Sequence, residues 1–251
     1  MATKLIGENR RPFICTPVVG VTTETIVEEL EQVLAKKPDI IEWRADFFQH
    51  IADTVQVLAV ANRIKEIAGE LPIIFTIRSI REGGQPIPLS DREAIELNAE
   101  ICRNTTVEYV DCELSNDPAY IQYLRAEATS HGTKIIGSFH NFALTPSRDE
   151  LAKKFTAAEQ FGLDVAKVAV MPQDLDDVLR LLGATLEAKK RLSIPLITMS
   201  MGKYGAISRM LGGVFGSSLS FAVGAKASAP GQIPIEDLQT VLDIVEKTIG
   251  E

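Results

Sequence analysis

The chain has 251 residues, 45% hydrophobic and 24% charged, the make-up of a globular protein large enough to bury a sizeable core. Acidic residues outnumber basic ones 34 to 26, for a formal charge of -8, and no basic run exceeds Arg10-Arg11 or Lys189-Lys190-Arg191. That argues against a nucleic-acid partner or an anionic membrane, but leaves an anionic small molecule open, because a local group of arginines can oppose the overall sign.

The first segment, "MATKLIGENRRPF", lacks the apolar core of a signal peptide, and no apolar stretch approaches the roughly 18 residues of a membrane span. A cytoplasmic location is the expectation. Beyond it, β-rich apolar runs recur in chain order: "FICTPVV" from Phe13, "DIIEWRAD" from Asp39, "IIFTIRS" from Ile73 and "VEYVDCEL" from Val107. Four more follow, "KIIGSFH" from Lys134, "VAKVAVM" from Val165, "LITMSM" from Leu196 and "SSLSFAV" from Ser217. Helical periodicity fills most of the intervals. One stripe runs through Ile26, Leu30, Val33 and Leu34, another through Leu175, Val178, Leu179, Leu182 and Leu186, and a third through Ile235, Leu238, Val241, Leu242 and Val245.

Local chemistry marks the same boundaries. Ser90 with Glu93 and Thr25 with Glu28 have capping-box spacing. Gly69 and Gly162 are placed to end helices in a left-handed turn, and Pro38, Pro72, Pro195 and Pro230 sit before strands or in loops. Cys15, Cys102 and Cys112 have neither disulfide nor metal spacing and read as reduced, buried apolar residues. Strand and helix alternating through eight strands predict a single (β/α)8 barrel of the α/β class, one domain over residues 1–251. A doubly wound open sheet is the alternative, but no glycine-rich phosphate loop follows any strand.

Strands of a parallel barrel are buried on both faces and should be nearly continuous apolar runs, so their polar residues carry information. Glu42 and Arg44 share one face of the second run, Arg78 ends the third, Asp111 and Glu113 lie in the fourth, His140 ends the fifth and Lys167 sits in the sixth. All lie toward the C-terminal halves, where barrel enzymes build their sites. Each has an ordinary reading too, as a solvated strand end or a structural ion pair such as Glu42 with Arg44.

Two readings of Lys167 stand open at this point. Desolvation can lower a lysine pKa by up to ~3 to 5 units and leave a neutral amine, a nucleophile able to form a Schiff base with a ketone. Alternatively the stem is buried and the head reaches out of the barrel mouth toward Glu113 or another carboxylate. His140 favours the first reading, because neighbouring strands lie about 4.7 to 4.9 Å apart and an imidazole titrates in the range a proton shuttle needs.

Six motifs in order then give the chain a familiar outline: "EWRAD" from Glu42, "FTIRSIREGG" from Phe75, "SFHNF" from Ser138, "DVAKVAVMP" from Asp164, "TMSMGKYGAISRM" from Thr198 and "SAPGQI" from Ser228. Over essentially its whole length the sequence resembles the type I 3-dehydroquinate dehydratases. The resemblance implies Lys167 as the Schiff-base lysine, His140 as general acid and base, and Glu82 beside it as the residue that sets its protonation. It implies Arg209 on the substrate carboxylate, with Ser228 and Gln232 closing over it from the last loop. Glu42, Arg44 and Arg78 would bind ring hydroxyls and order the pocket, and Met199, Met201 and Phe221 would form its apolar wall. It implies 3-dehydroquinate as the small-molecule substrate, a homodimer, no metal and no organic cofactor. One departure stands at Asn141, where an aspartate is often expected, and concerns only local hydrogen bonding. The rival readings are a class I aldolase, which also uses a Schiff-base lysine in this type of barrel, and a non-catalytic sensor of quinate-like ligands.

Overall fold

The computed structural model describes residues 5–7, 11–226 and 228–249. Eight strands alternate with eight helices. The strands are β1 (Phe13–Val18), β2 (Ile40–Arg44), β3 (Ile73–Thr76), β4 (Tyr109–Glu113), β5 (Lys134–Asn141), β6 (Val165–Val170), β7 (Leu196–Ser200) and β8 (Leu219–Phe221). The helices are α1 (Thr23–Leu34), α2 (Thr54–Ala68), α3 (Asp91–Asn104), α4 (Pro118–His131), α5 (Arg148–Gln160), α6 (Leu175–Arg191), α7 (Gly202–Leu211) and α8 (Ile235–Ile249).

All strand pairs are parallel, in the order β7-β6-β5-β4-β3-β2-β1-β8. The circle closes where Leu196 bridges Ser217 and the Ser218 amide donates to the Leu196 carbonyl at 2.7 Å. The result is the expected (β/α)8 barrel, and it rests on alternation. On each strand one parity faces the barrel axis and the other packs beneath the helices. Phe13, Ile40, Ile74, Tyr109, Ile136, Val165, Ile197 and Leu219 fill the axis toward the N-terminal ends. Ile41, Trp43, Phe75, Val110, Ile135, Val168 and Val170 face outward against apolar residues of the helices, such as Ile26, Ile64, Ile101 and Leu181.

Moving two residues at a time up the inner parity turns the axis polar. Ile40 leads to Glu42 and Arg44, Ile74 to Thr76, Tyr109 to Asp111 and Glu113, Ile136 to Ser138 and His140, and Val165 to Lys167. Pairing then brings these rungs level: Glu113 lies beside Ser138, and Ser138 beside Lys167. All three cysteines are buried and free. Among the described residues no helix is long and apolar enough to cross a membrane.

Several local expectations change. The cap of α1 is Thr22, whose side chain accepts from the Thr25 amide while Thr25 reaches back to Thr22; Thr25 is therefore the third helical residue and not the cap, and Glu28 takes no part. Ser90 and Glu93 do form their box on α3. β3 ends at Thr76, so Arg78 lies just past the strand. The core face of α6 consists of Val178, Leu181, Leu182, Ala184, Thr185 and Ala188, whereas Leu175, Leu179 and Leu186 are exposed. Two apolar arcs overlap on this helix, and the small residues decide between them by allowing close approach. There the Thr185 hydroxyl donates to Thr198 of β7 at 3.0 Å within the core.

Candidate active site

Glu82 is held at the barrel mouth by its neighbours, and a glycine shapes the turn that carries it. Residues Ile80–Glu82 form a 3-10 turn, and the Gly84 amide folds back to donate to the Ser79 carbonyl at 2.8 Å. A Cβ on Gly84 would lie 1.9 Å from the Arg78 carbonyl oxygen, so only glycine lets the turn close this far. The Glu82 carboxylate then accepts the His140 amide at 2.9 Å, lies 2.9 Å from His140 Nδ1, and accepts the Ser115 hydroxyl at 3.0 Å. Burial first, and Glu113 second, push Glu82 up to about 7 against the pull of Arg78.

His140 shifts the other way. Burial lowers its pKa well below the ordinary 6.5, reinforced by Arg78, Lys167 and Arg44. A neutral imidazole facing a carboxylate carries its proton on Nδ1, which leaves the Nε2 lone pair free to take a proton from a bound molecule.

This depression has a stability consequence. Below about pH 6.5 the unfolded chain takes up a proton that the folded His140 refuses, so folding loses ~1.4 kcal/mol per pH unit from this group. The contribution is present above the unfolded pKa and disappears as pH falls toward the lowered one. The expected result is that His140→Asn, compared with wild type by urea unfolding, gains relative stability as pH drops from about 7 to 5. A stability difference that stayed flat with pH would refute a depressed His140.

Lys167 points into the barrel at 3% exposure. Its Nζ lies 3.2 Å from Glu42 Oε1, 3.3 Å from Asp111 Oδ2 and 4.7 Å from the Phe221 ring centroid. Two buried carboxylates therefore touch the amine. Its partner is not Glu113, which instead accepts from Arg78 Nη1 at 3.0 Å and from the Ser79 amide and hydroxyl at 2.8 and 2.7 Å. Nor does Glu42 pair with Arg44. Arg44 makes a bidentate pair with Asp46, both bonds 2.8 Å, and Asp46 also accepts the Gln85 amide at 3.1 Å.

Arg78 links the buried acids at the floor of the pocket. Its guanidinium lies 2.8 Å from Asp111 and 3.0 Å from Glu113, and it donates to Ser138 Oγ at 3.0 Å. Burial works against its charge, but Asp111, Glu113 and Glu82 together raise its pKa, so the charge is secure.

Arg209 is the exception among the cations. It is 2% exposed and forms none of the ion pairs present among the described residues. Among the described residues only neutral atoms hold it: Met199 Sδ at 3.7 Å, the Phe221 carbonyl at 3.4 Å and the Pro230 carbonyl at 3.1 Å, with Nε unpartnered. Burial pushes it down to about 10. A desolvated guanidinium held only by neutral groups is a preformed receptor for a carboxylate or phosphate.

The last loop completes the enclosure. The Ser228 amide donates to Gln232 Oε1 at 2.9 Å, and Gln232 Nε2 donates to Ser228 Oγ at 3.3 Å. Pro230 is pinned by Arg209 and by the Gly202 amide at 3.2 Å. Gly231, at φ +77°, passes so close to Gly202 that a Cβ would sit 2.3 Å from its carbonyl oxygen.

One cavity brings together all twelve expected residues: Lys167, His140, Glu82, Glu42, Arg44, Arg78, Arg209, Ser228, Gln232, Met199, Met201 and Phe221. Gly83, Phe142, Ala169 and Ala229 also line it, without having been singled out in the sequence. Asp46, Ser79, Ser115 and Ser138 support it from behind; they are polar residues at strand ends or turns, and nothing in their spacing distinguished them. Among the described residues no group of side chains is arranged to hold a metal ion.

Residues 14–249 match the family model for type I 3-dehydroquinase. The chain belongs to the type I 3-dehydroquinase family. A 3-dehydroquinate dehydratase from Geobacillus sp. is 53% identical over 245 residues, covering 98% of this chain and 93% of the relative. The crystal structure of the Geobacillus kaustophilus 3-dehydroquinate dehydratase superposes with a TM-score of 0.91 at 50% identity, covering 96% of this chain and 93% of that one. The type I enzyme of Clostridium difficile, solved with covalently modified comenic acid, gives 0.93 at 38% identity, over 97% of this chain and 96% of that one.

Proposed function

We propose that the chain is a Schiff-base 3-dehydroquinate dehydratase of the shikimate pathway, converting 3-dehydroquinate to 3-dehydroshikimate and water. The observation that carries this reading is a single cavity holding an inward lysine, a histidine 2.9 Å from Glu82, and a buried arginine that pairs with no acid among the described residues. A cyclic keto acid needs all three. The family membership and relatives named as this enzyme over nearly the full chain support the same activity.

The chemistry follows from the positions. The carboxylate of the substrate seats on Arg209, which places the ring in the mouth with its ketone toward Lys167. The amine of Lys167, once deprotonated, adds to C3; loss of water from the carbinolamine gives the protonated imine. His140 Nε2 removes a proton from C2, and the electron pair moves onto the imine nitrogen as an enamine. Collapse of the enamine expels the C1 hydroxyl, which leaves as water with the proton held by His140. Water then hydrolyses the imine, freeing the conjugated ketone and the amine. Without the imine, a base with an ordinary pKa of about 6.5 would face an α-proton far too weakly acidic to remove.

The cavity holds about 440 Å³ of empty space, part of it open to solvent. The Ser228–Gln232 turn lines this cavity and serves as a lid that closes over the imine. The expected assembly is a cytoplasmic homodimer. The exposed row of Leu175, Leu179 and Leu186 on α6, beside Ile207 and Leu211 on α7, supports an apolar contact.

The decisive assay supplies 3-dehydroquinate and follows the ultraviolet absorbance of the conjugated enone together with product masses. The expected result is enone and water with every carbon retained. Carbon-carbon cleavage would establish the aldolase reading, and thermal stabilisation by the compound without turnover would establish a sensor.

A further inference from the structure

The residues assigned to the substrate line the cavity, but one anion in contact with the reactive nitrogen lies behind it. Asp111, on β4, is 1% exposed and is absent from the cavity wall. Its Oδ2 lies 3.3 Å from Lys167 Nζ and 2.8 Å from Arg78 Nη2, and its Oδ1 accepts a 2.6 Å hydrogen bond from Ser138. Contacts on both oxygens leave this carboxylate no freedom to turn toward a substrate. Glu42 is different, because Lys167 and the Thr76 hydroxyl both meet its Oε1 and the residue lines the cavity.

We propose that Asp111 is the fixed counter-ion of the imine formed on Lys167, keeping that imine protonated through the dehydration. This rests on the Schiff-base reading above. The protonated imine of the intermediate places one positive charge on the nitrogen that Asp111 Oδ2 already faces at 3.3 Å. Only the protonated imine is an effective electron sink, and in a buried site an adjacent carboxylate favours the charged form.

Asp111 is suited to stay ionised throughout. Burial alone would raise its pKa, but Arg78, Lys167 and the Ser138 hydroxyl hold it below the usual carboxylate range. The groups facing the pair are Cys15 from β1, Glu42 and Arg44 from β2, and Arg78 and Glu82 from the segment after β3. Glu113 of β4, His140 of β5 and Arg209 of α7 complete the surroundings. Of these anions only Glu42 shares with Asp111 an ion pair to Lys167.

The test reads pH profiles. Asp111→Asn removes the charge at nearly constant shape, and kcat is expected to fall by about 10²-fold, the usual consequence of removing a preorganised electrostatic contact. Both limbs move toward lower pH by about one unit. The acid limb of borohydride labelling and the alkaline limb of kcat both move because the nitrogen of Lys167 loses the anion that faces it at 3.3 Å. Glu113→Gln takes a charge from the same cluster without touching Lys167, and is expected to move both limbs less. If Asp111→Asn fails to fold, Asp111→Glu carries the test, since its carboxylate keeps both limbs in place whatever it does to kcat. Unmoved limbs in Asp111→Asn, or shifted limbs in Asp111→Glu, overturn the assignment. Wild-type protein that takes no label on Lys167 refutes the imine itself and this counter-ion with it.

Discussion

Replacing Lys167 with alanine is expected to lower dehydration of 3-dehydroquinate by at least ~10⁴-fold, on the scale of removing a nucleophile that acts as a unit with its base. Borohydride in the presence of substrate labels the wild-type protein at one lysine by mass mapping and leaves Lys167→Ala unlabelled. The variant stays folded but is weaker. Asp111 keeps Arg78 as a partner at 2.8 Å, whereas Glu42 loses the only cation it pairs with among the described residues. An orphaned buried carboxylate costs about 3 kcal/mol, which a urea titration resolves. Labelling that persists on another residue of Lys167→Ala would remove Lys167 from the mechanism. Unchanged stability would show that its ion pair with Glu42 does not exist in solution.

The second large effect lies at Arg209, and its two parts have opposite signs. Truncation to methionine removes the receptor for the substrate carboxylate, so kcat/KM falls by the equivalent of about 2–5 kcal/mol, a factor of roughly 30 to several thousand. Most of the loss is expected in KM, because the carboxylate is not where charge changes during the reaction. In the free protein the same substitution removes a guanidinium that burial already pushes down to about 10 and that only neutral groups hold. Its thermal midpoint is therefore expected to rise, the trade of stability for function usual at binding sites. Substrate restores the order by stabilising wild type more than the variant. A fall in kcat with KM unchanged would show that Arg209 acts on the chemistry and not on the carboxylate.

Much of this site was legible along the chain because barrel strands obey a period of two. Glu42 with Arg44, and Asp111 with Glu113, announce an inward polar parity wherever the neighbouring parity is apolar, and Lys167 is conspicuous inside "VAKVAV" for that reason. Glu82, Ser228 and Gln232 lie in loops, where no periodicity operates. Their roles came from resemblance and not from pattern. Asp111 was visible as a polar strand residue, yet nothing local connects it to an amine 56 positions away.

Where local pattern misled, two solutions were close in energy. On α6 both apolar arcs satisfy a 3.6-residue repeat, and the short side chains of Ala184, Thr185 and Ala188 settle which one meets the sheet. At the start of α1 both Thr22 and Thr25 can cap, and the reciprocal bonds between them select the earlier residue.

By itself, then, the sequence determined the order of strands and helices, the class of barrel, and the supply of charges to its C-terminal mouth, because each of these follows from spacing within a few residues. Only the tertiary structure decided who pairs with whom: Lys167 with Glu42 and Asp111, Arg78 with Asp111 and Glu113, and Arg209 with none of the described acids. The reason is physical. Charge pairing depends on distances of about 3 Å across the barrel, set by the register of all eight strands closing on one another, and no stretch of chain carries that information alone.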